Sequence, residues 1–123
     1  MAQAYTDRPT REAWNALEES IVTGTYTGDG ERTRTIELGF TPRAVLVMAQ
    51  DGATTYVIDN DWRYYGGLAL PGVPVLSEDP EYPVLAIVEG GFRVYSANYA
   101  PQSGVRRVRS NYNGAMQFYI AVK

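Results

Sequence analysis

Trp62, Arg63, Tyr64 and Tyr65 run consecutively before Gly66-Gly67 and form the most chemically suggestive cluster in the chain. Aromatic faces stack on the apolar faces of sugar rings, and a guanidinium bonds hydroxyls or carboxylates, so these four are the candidate ligand-binding residues. Trp62 also suits the task of anchoring a loop to a core, and Tyr64 and Tyr65 fit either role. Just upstream, Asp59, Asn60 and Asp61 set three oxygen-bearing side chains side by side. Calcium takes about six to eight oxygens, but Asn and Asp are also ordinary turn formers, and a turn is the reading kept here. Glu78, Asp79 and Glu81 supply the carboxylate pairs that glycoside cleavage needs. Pro80 and Pro83 place them in an exposed acidic turn, where nothing raises a carboxyl pKa. Arg106, Arg107 and Arg109 make a basic patch; on a strand, Arg107 and Arg109 share one face while Arg106 sits with Val108. That patch suits anionic glycans, an acidic pair such as Glu18-Glu19 on a neighbouring subunit, or solvent.

Composition removes several classes of chemistry. The 123 residues include no histidine and no cysteine. The usual general base near neutral pH is therefore missing, as are disulfides, thiolate nucleophiles and cysteine metal sites. Serine–histidine and cysteine–histidine catalysis are excluded, and no catalytic residue, metal or cofactor is expected. A net charge of −3 disfavours nonspecific binding to nucleic acid, which depends on neutralising phosphates. No apolar run approaches the roughly 20 residues of a membrane span, and the N-terminus lacks the basic and apolar segments of a signal peptide. Synthesis in the cytoplasm without membrane insertion is the expectation. With 45% hydrophobic and 20% charged residues the chain is globular, and its ten tyrosines suit half-buried strands and binding surfaces alike.

The elements that must position these groups are mostly strands. Asp7 to Ser20 is predicted to be a helix, capped by Asp7 or Thr10, with Pro9 in its first turn. Trp14, Leu17 and Ile21 form one narrow apolar stripe along it. The stripe either lies on the chain's own sheet or meets copies of itself, which makes these three the candidate oligomer interface. After Ile21 the period changes to two. Gly28-Asp29-Gly30 turns the chain, Thr33 to Leu38 returns it, and Phe40 is placed to plug one end of a sandwich. Ala44 to Ala49 is apolar throughout and reads as a central strand covered on both faces. Thr54 to Ile58 follows; residues 60–83 read as a long excursion with one or two short strands. Strands resume at Val84 to Val88, Phe92 to Tyr95, Val105 to Arg109 and Met116 to Val122. The fold class expected is all-β, an antiparallel β-sandwich (jelly-roll-like or a meander) with one short N-terminal α-helix. Residues 1–20 form the helical segment and residues 21–123 the β domain.

The order of these pieces is specific. Gly24-x-Tyr26-x-Gly28-Asp29-Gly30 leads to Thr35-Ile36-x-Leu38-Gly39-Phe40-x-Pro42 and the strand Ala44 to Val47. Gly91-Phe92-x-Val94 follows, and Asn113-Gly114-x-x-x-Phe118-Tyr119-Ile120-Ala121 closes the series. This pattern resembles the C-terminal domain of bacteriophage and prophage tail-fibre or minor structural proteins, and it spans the chain after Ser20. The resemblance implies a virion protein forming a trimeric fibre tip, with host surface polysaccharide or other virion proteins as partners. It supplies no catalytic motif. The function expected is therefore glycan binding without turnover; the alternative is a purely structural assembly module. A carbohydrate-degrading enzyme using Asp59, Asp61 or Glu81 is the third class, and it is not expected.

Overall fold

The computed structural model describes residues 10, 11 and 20–123. Twelve strands among these residues form three four-stranded sheets. The first sheet has the order β1 (Ile21–Thr27), β12 (Met116–Val122), β3 (Ala44–Ala49) and β6 (Gly67–Ala69). The second runs β2 (Thr33–Glu37), β9 (Gly91–Tyr95), β8 (Pro83–Val88) and β7 (Val75–Leu76). The third runs β10 (Ala97–Tyr99), β11 (Val105–Val108), β5 (Asp61–Tyr64) and β4 (Thr55–Ile58). All pairings are antiparallel except β5 with β11, which lie parallel. The all-β, sandwich-like expectation holds. Of the expected helix over residues 7–20 only residues 10, 11 and 20 are described, and Trp14 and Leu17 lie outside the described residues.

Alternation decides what each strand buries. Val45 and Val47 of β3, Tyr26 of β1 and Ala121 of β12 point inward from the first sheet. They meet Leu85, Phe92 and Val94 of the second sheet in the main core, with Ile36, Leu38 and Phe40 packed against it. Phe92 is fully buried, with the Tyr119 ring 5.2 Å away and the Tyr26 ring 6.1 Å away in edge contact. A ring buried this way contributes about 1.5–3 kcal/mol by transfer alone. A smaller core of Tyr64, Val84 and Val108 joins the third sheet to the other side of β8.

Two expectations are corrected here. The strand covered on both faces is β8, where the neighbours Val84 and Leu85 are both fully buried, one in each core. In β3 only Val45 and Val47 are buried, and Leu46 and Met48 stay partly open on the other side. Two apolar runs of equal length look alike in sequence; which becomes the middle layer depends on where the third sheet docks. Second, residues 60–83 are better ordered than expected. They supply β5, β6 and β7, and Trp62 to Tyr64 form a strand rather than a loop.

The three sheets are tied at residues 109–111. Arg109 donates its backbone N–H to the Tyr64 carbonyl of the third sheet (2.8 Å). Ser110 Oγ donates to Val84 O (2.6 Å) and accepts from Tyr95 N (2.8 Å), both in the second sheet. The Tyr26 hydroxyl of the first sheet donates to Ser110 O (2.5 Å). Burial holds that hydroxyl's pKa above the ordinary tyrosine value, so it remains a donor. Asn111 completes the tie. Its side-chain amide donates to Asp29 Oδ1 (2.7 Å) and Glu31 O (3.0 Å), and its Oδ1 accepts from Asp29 N (3.2 Å). Gly28 closes on the same segment, with its N–H on Ala115 O and its carbonyl accepting from Gly114 N, both at 2.9 Å. Contact is so close that a Cβ on Gly28 would come within 2.0 Å of the Tyr112 carbonyl oxygen.

Replacing Asn111 with alanine is expected to cost about 2–4 kcal/mol, because it orphans the partners of a fully buried amide. Urea denaturation checks this, with a lower midpoint at unchanged slope.

Candidate functional site

The third sheet presents its two faces to different surroundings, and this divides the sequence candidates. Trp62 and Tyr64 point toward the smaller core, their rings stacked at 6.3 Å with 22° between planes. Tyr64 is buried there. Trp62 is pinned by its indole N–H on Asn60 Oδ1 (3.2 Å) and covered by the Arg106 guanidinium 5.2 Å from its ring. Neither is an exposed stacking residue. Arg63 lies on the opposite, outer face, and Tyr65 lines the same depression beside it.

The turn between β4 and β5 determines what joins them. Asp59 and Asn60 both adopt positive φ, 49° and 62°, the two-residue hairpin geometry that short polar side chains tolerate. It places Ile58 opposite Asp61, Val57 opposite Trp62 and Tyr56 opposite Arg63. Tyr56 thus becomes the cross-strand partner of Arg63, with the guanidinium 5.9 Å from the ring. From β11, Arg107 pairs directly with Arg63 across the parallel ladder. Asp61 sits between the two cations, 3.1 Å from Arg107 Nε and 3.5 Å from Arg63 Nη2.

These pieces form a tyrosine–arginine platform around an open depression of about 380 Å³ lined by Asp51, Ala53, Tyr56, Arg63 and Tyr65. Tyr65 is also the boundary with a second depression of about 440 Å³, which reaches Gln117 and Met116. Gln117 is buried and donates to the Tyr65 carbonyl (2.7 Å), fixing the backbone between the two. Partial burial pushes the Asp61 carboxyl up, but hydrogen bonds from Arg107 and Arg63 outweigh it and hold the group below the usual Asp value. Arg63 is held above its ordinary value, chiefly by Asp61. The platform therefore carries two guanidiniums with Asp61 bridging them and Asp51 also lining the depression, and the terminal nitrogens of Arg107 make no hydrogen bond among the described residues.

The other candidates fall elsewhere. Arg106 is 6% exposed and pairs with Glu78: Nη2 donates to Oε1 at 3.1 Å, and Nε lies 3.0 Å from Oε2 as an ion-pair contact. Glu78, Asp79 and Glu81 flank an open groove of about 520 Å³ beside Tyr82 and Tyr99, whose rings stack at 4.3 Å. Asp79 folds its loop by accepting from Glu81 N (2.9 Å), and Tyr99 secures it by donating to Ser77 Oγ (2.9 Å). Arg109 covers the Tyr112 ring at 4.4 Å. No group of three or more His, Cys, Asp or Glu positioned for a metal occurs among the described residues. Of the stripe Trp14, Leu17 and Ile21, only Ile21 is described, and it lies on the outer face of the first sheet.

Sequence reasoning missed Tyr56 and the role of Asp61. The signal for both was present: an Asp-Asn dipeptide flanked by strand residues specifies a two-residue turn, and that turn sets the register. Comparison with known proteins finds no matching family model, no matching curated protein and no matching solved structure.

Because Asp61 has a lowered pKa in the fold, it stabilises the protein above its unfolded value of about 4, and that contribution is lost as pH falls through the folded value. Chemical denaturation of wild-type and Asp61→Asn protein across pH 2–7 checks this, with the stability gap expected widest near neutrality and closing in acid.

Proposed function

We propose that this chain is a bacteriophage or prophage virion protein, a tail-fibre tip or receptor-binding domain that binds host surface glycans and does not transform them. The observation that carries the reading is the platform of Tyr56, Arg63, Arg107 and Tyr65, built on paired strands and held by Asp61. Tyrosine rings offer sugars an apolar face with a polar tip. Guanidiniums bond carboxylates in a fork, which favours glycans bearing uronic or other acidic sugars. An open, shallow depression suits a polymer chain passing across a surface, and several linked copies, three in the favoured assembly, gain avidity from weak single sites.

The alternative, an assembly module alone, draws support from the apolar outer face of the first sheet, where Leu68 is 60% exposed. One experiment separates the two readings. On a glycan array containing acidic and neutral polysaccharide fragments, wild-type protein is expected to bind acidic members. Tyr56→Ala combined with Tyr65→Ala should lower that binding about tenfold or more while leaving the oligomer and melting temperature intact. No binding to any glycan, or binding unchanged in the double variant, overturns the glycan reading.

A further inference from the structure

A cavity of about 180 Å³ opens between the second and third sheets, where the smaller core runs out. Register explains its walls. Alternation sends Phe92 and Val94 of β9 into the main core, so Tyr95 points to the face that the third sheet covers. Thr33 lies directly opposite Tyr95 at the end of the β2–β9 ladder, and Ala97 begins β10 on the facing side. Thr33 and Ala97 are small and leave the space open, while Tyr82 and Pro83 supply an apolar wall. The backbone around it is held by the same buried polar residues that join the sheets. Tyr95 donates its N–H to Ser110 Oγ (2.8 Å), its carbonyl accepts from Asn111 N (2.8 Å), and Ser96 N donates to Arg32 O (3.1 Å).

Two unspent charges stand at this cavity. The Arg32 guanidinium lies over the Tyr82 ring, 5.5 Å from its centre, and makes no hydrogen bond or ion pair among the described residues. Tyr99 stacks on the same ring at 4.3 Å and keeps it in place. A guanidinium stacked on an aromatic ring leaves its N–H fork free at the edge, the arrangement that takes a carboxylate. The Glu81 carboxylate also lines the cavity and accepts no hydrogen bond among the described residues. The hydroxyls of Thr33, Tyr82 and Tyr95 are likewise uncommitted among them.

We propose that this cavity is a second binding site, which takes a single acidic sugar ring, a uronate or a similar hydroxylated ring carboxylate, at the end of a glycan. Size sets the unit. Water occupies about 30 Å³ per molecule in the liquid, so the space holds roughly six, the bulk of one pyranose ring and not of a chain. Charge sets the acid, which Arg32 receives in its fork. The hydroxyls set the sugar. Thr33, Tyr82 and Tyr95 both donate and accept, and Glu81 accepts, which matches a ring of hydroxyl groups. An ammonium needs acceptors alone and would share the cavity with the Arg32 cation. Tyr82 and Glu81 also line the neighbouring groove of about 520 Å³, whose other charged residues, Glu78 and Asp79, are acidic. A chain leaving the cavity along that groove is therefore neutral next to its acidic end. The site extends the glycan reading but shares no residue with the tyrosine–arginine platform, and it takes a chain end where the platform takes a chain passing across.

Amide NMR on isotope-labelled, full-length protein tests the site residue by residue. Glucuronate is expected to shift the Thr33, Tyr95 and Ala97 signals with millimolar affinity, and glucose and acetate to bind there at least about tenfold more weakly. Arg32→Gln should weaken glucuronate binding about tenfold. Ala97→Leu, which fills the cavity and removes no charge, should abolish the glucuronate shifts at Thr33 and Tyr95. Silence at all three residues at tens of millimolar glucuronate overturns the proposal. An equal response to glucose denies the acid, and an equal response to acetate denies the ring; either overturns it. Tighter binding of glucosamine also overturns it and assigns the cavity to a cation at Glu81, and undiminished affinity in Arg32→Gln does the same for the carboxylate fork. Signals of Tyr56 and Tyr65 report the platform in the same spectra, so failure at one site leaves the result at the other standing. Should Ala97→Leu fail to fold, Arg32→Gln and the ligand series decide.

Discussion

Three consecutive residues, Arg109 to Asn111, bond to strands of all three sheets, and the packing of both cores depends on that knot. A sandwich of short strands gains little from any one ladder, and its layers are free to shift unless something sets their offset. Here the setting is polar. Ser110 and Asn111 are fully buried, and a buried hydroxyl or amide without partners costs about 1–3 kcal/mol. The observed arrangement of the layers satisfies both side chains. The polar knot therefore specifies the arrangement, and the apolar cores around Phe92 and Val84 supply most of the stabilisation.

From that arrangement follows a molecule with two outer faces of opposite character. The first sheet turns Thr23, Ile120, Leu46 and Leu68 outward, whereas the third turns out Tyr56, Arg63, Asp61 and Arg107. One face is uncharged and the other carries paired guanidiniums and carboxylates. The platform stands on paired strands, and its two guanidiniums share a carboxylate held below the usual Asp value.

Much of the fold was legible in local chemistry. Gly28-Asp29-Gly30 and Asn113-Gly114 announced turns, and period-two alternation announced β1 and β9. What could not be read was that these two turns clasp each other, since nothing local to Asp29 points to Asn111 some eighty residues away. The candidate site was half legible. Arg63 and Tyr65 were chosen for their chemistry and do face outward. Trp62 and Tyr64 were chosen for the same chemistry and face inward, because a strand alternates sides and a loop need not. Tyr56 joined the site through a turn whose geometry was encoded but whose consequence for register was not drawn.

The amino-acid sequence alone determined the β class, the turn positions, the exclusion of histidine and cysteine chemistry, and the presence of an aromatic–arginine cluster. These follow from periodicity and composition, which act over a few residues. Tertiary structure alone decided which apolar strand became the middle layer, which half of the cluster reached solvent, and which arginines shared a carboxylate. Those outcomes depend on where the third sheet docks against β8. That docking is settled by simultaneous burial of distant side chains and satisfaction of distant polar groups, which no short window of residues contains.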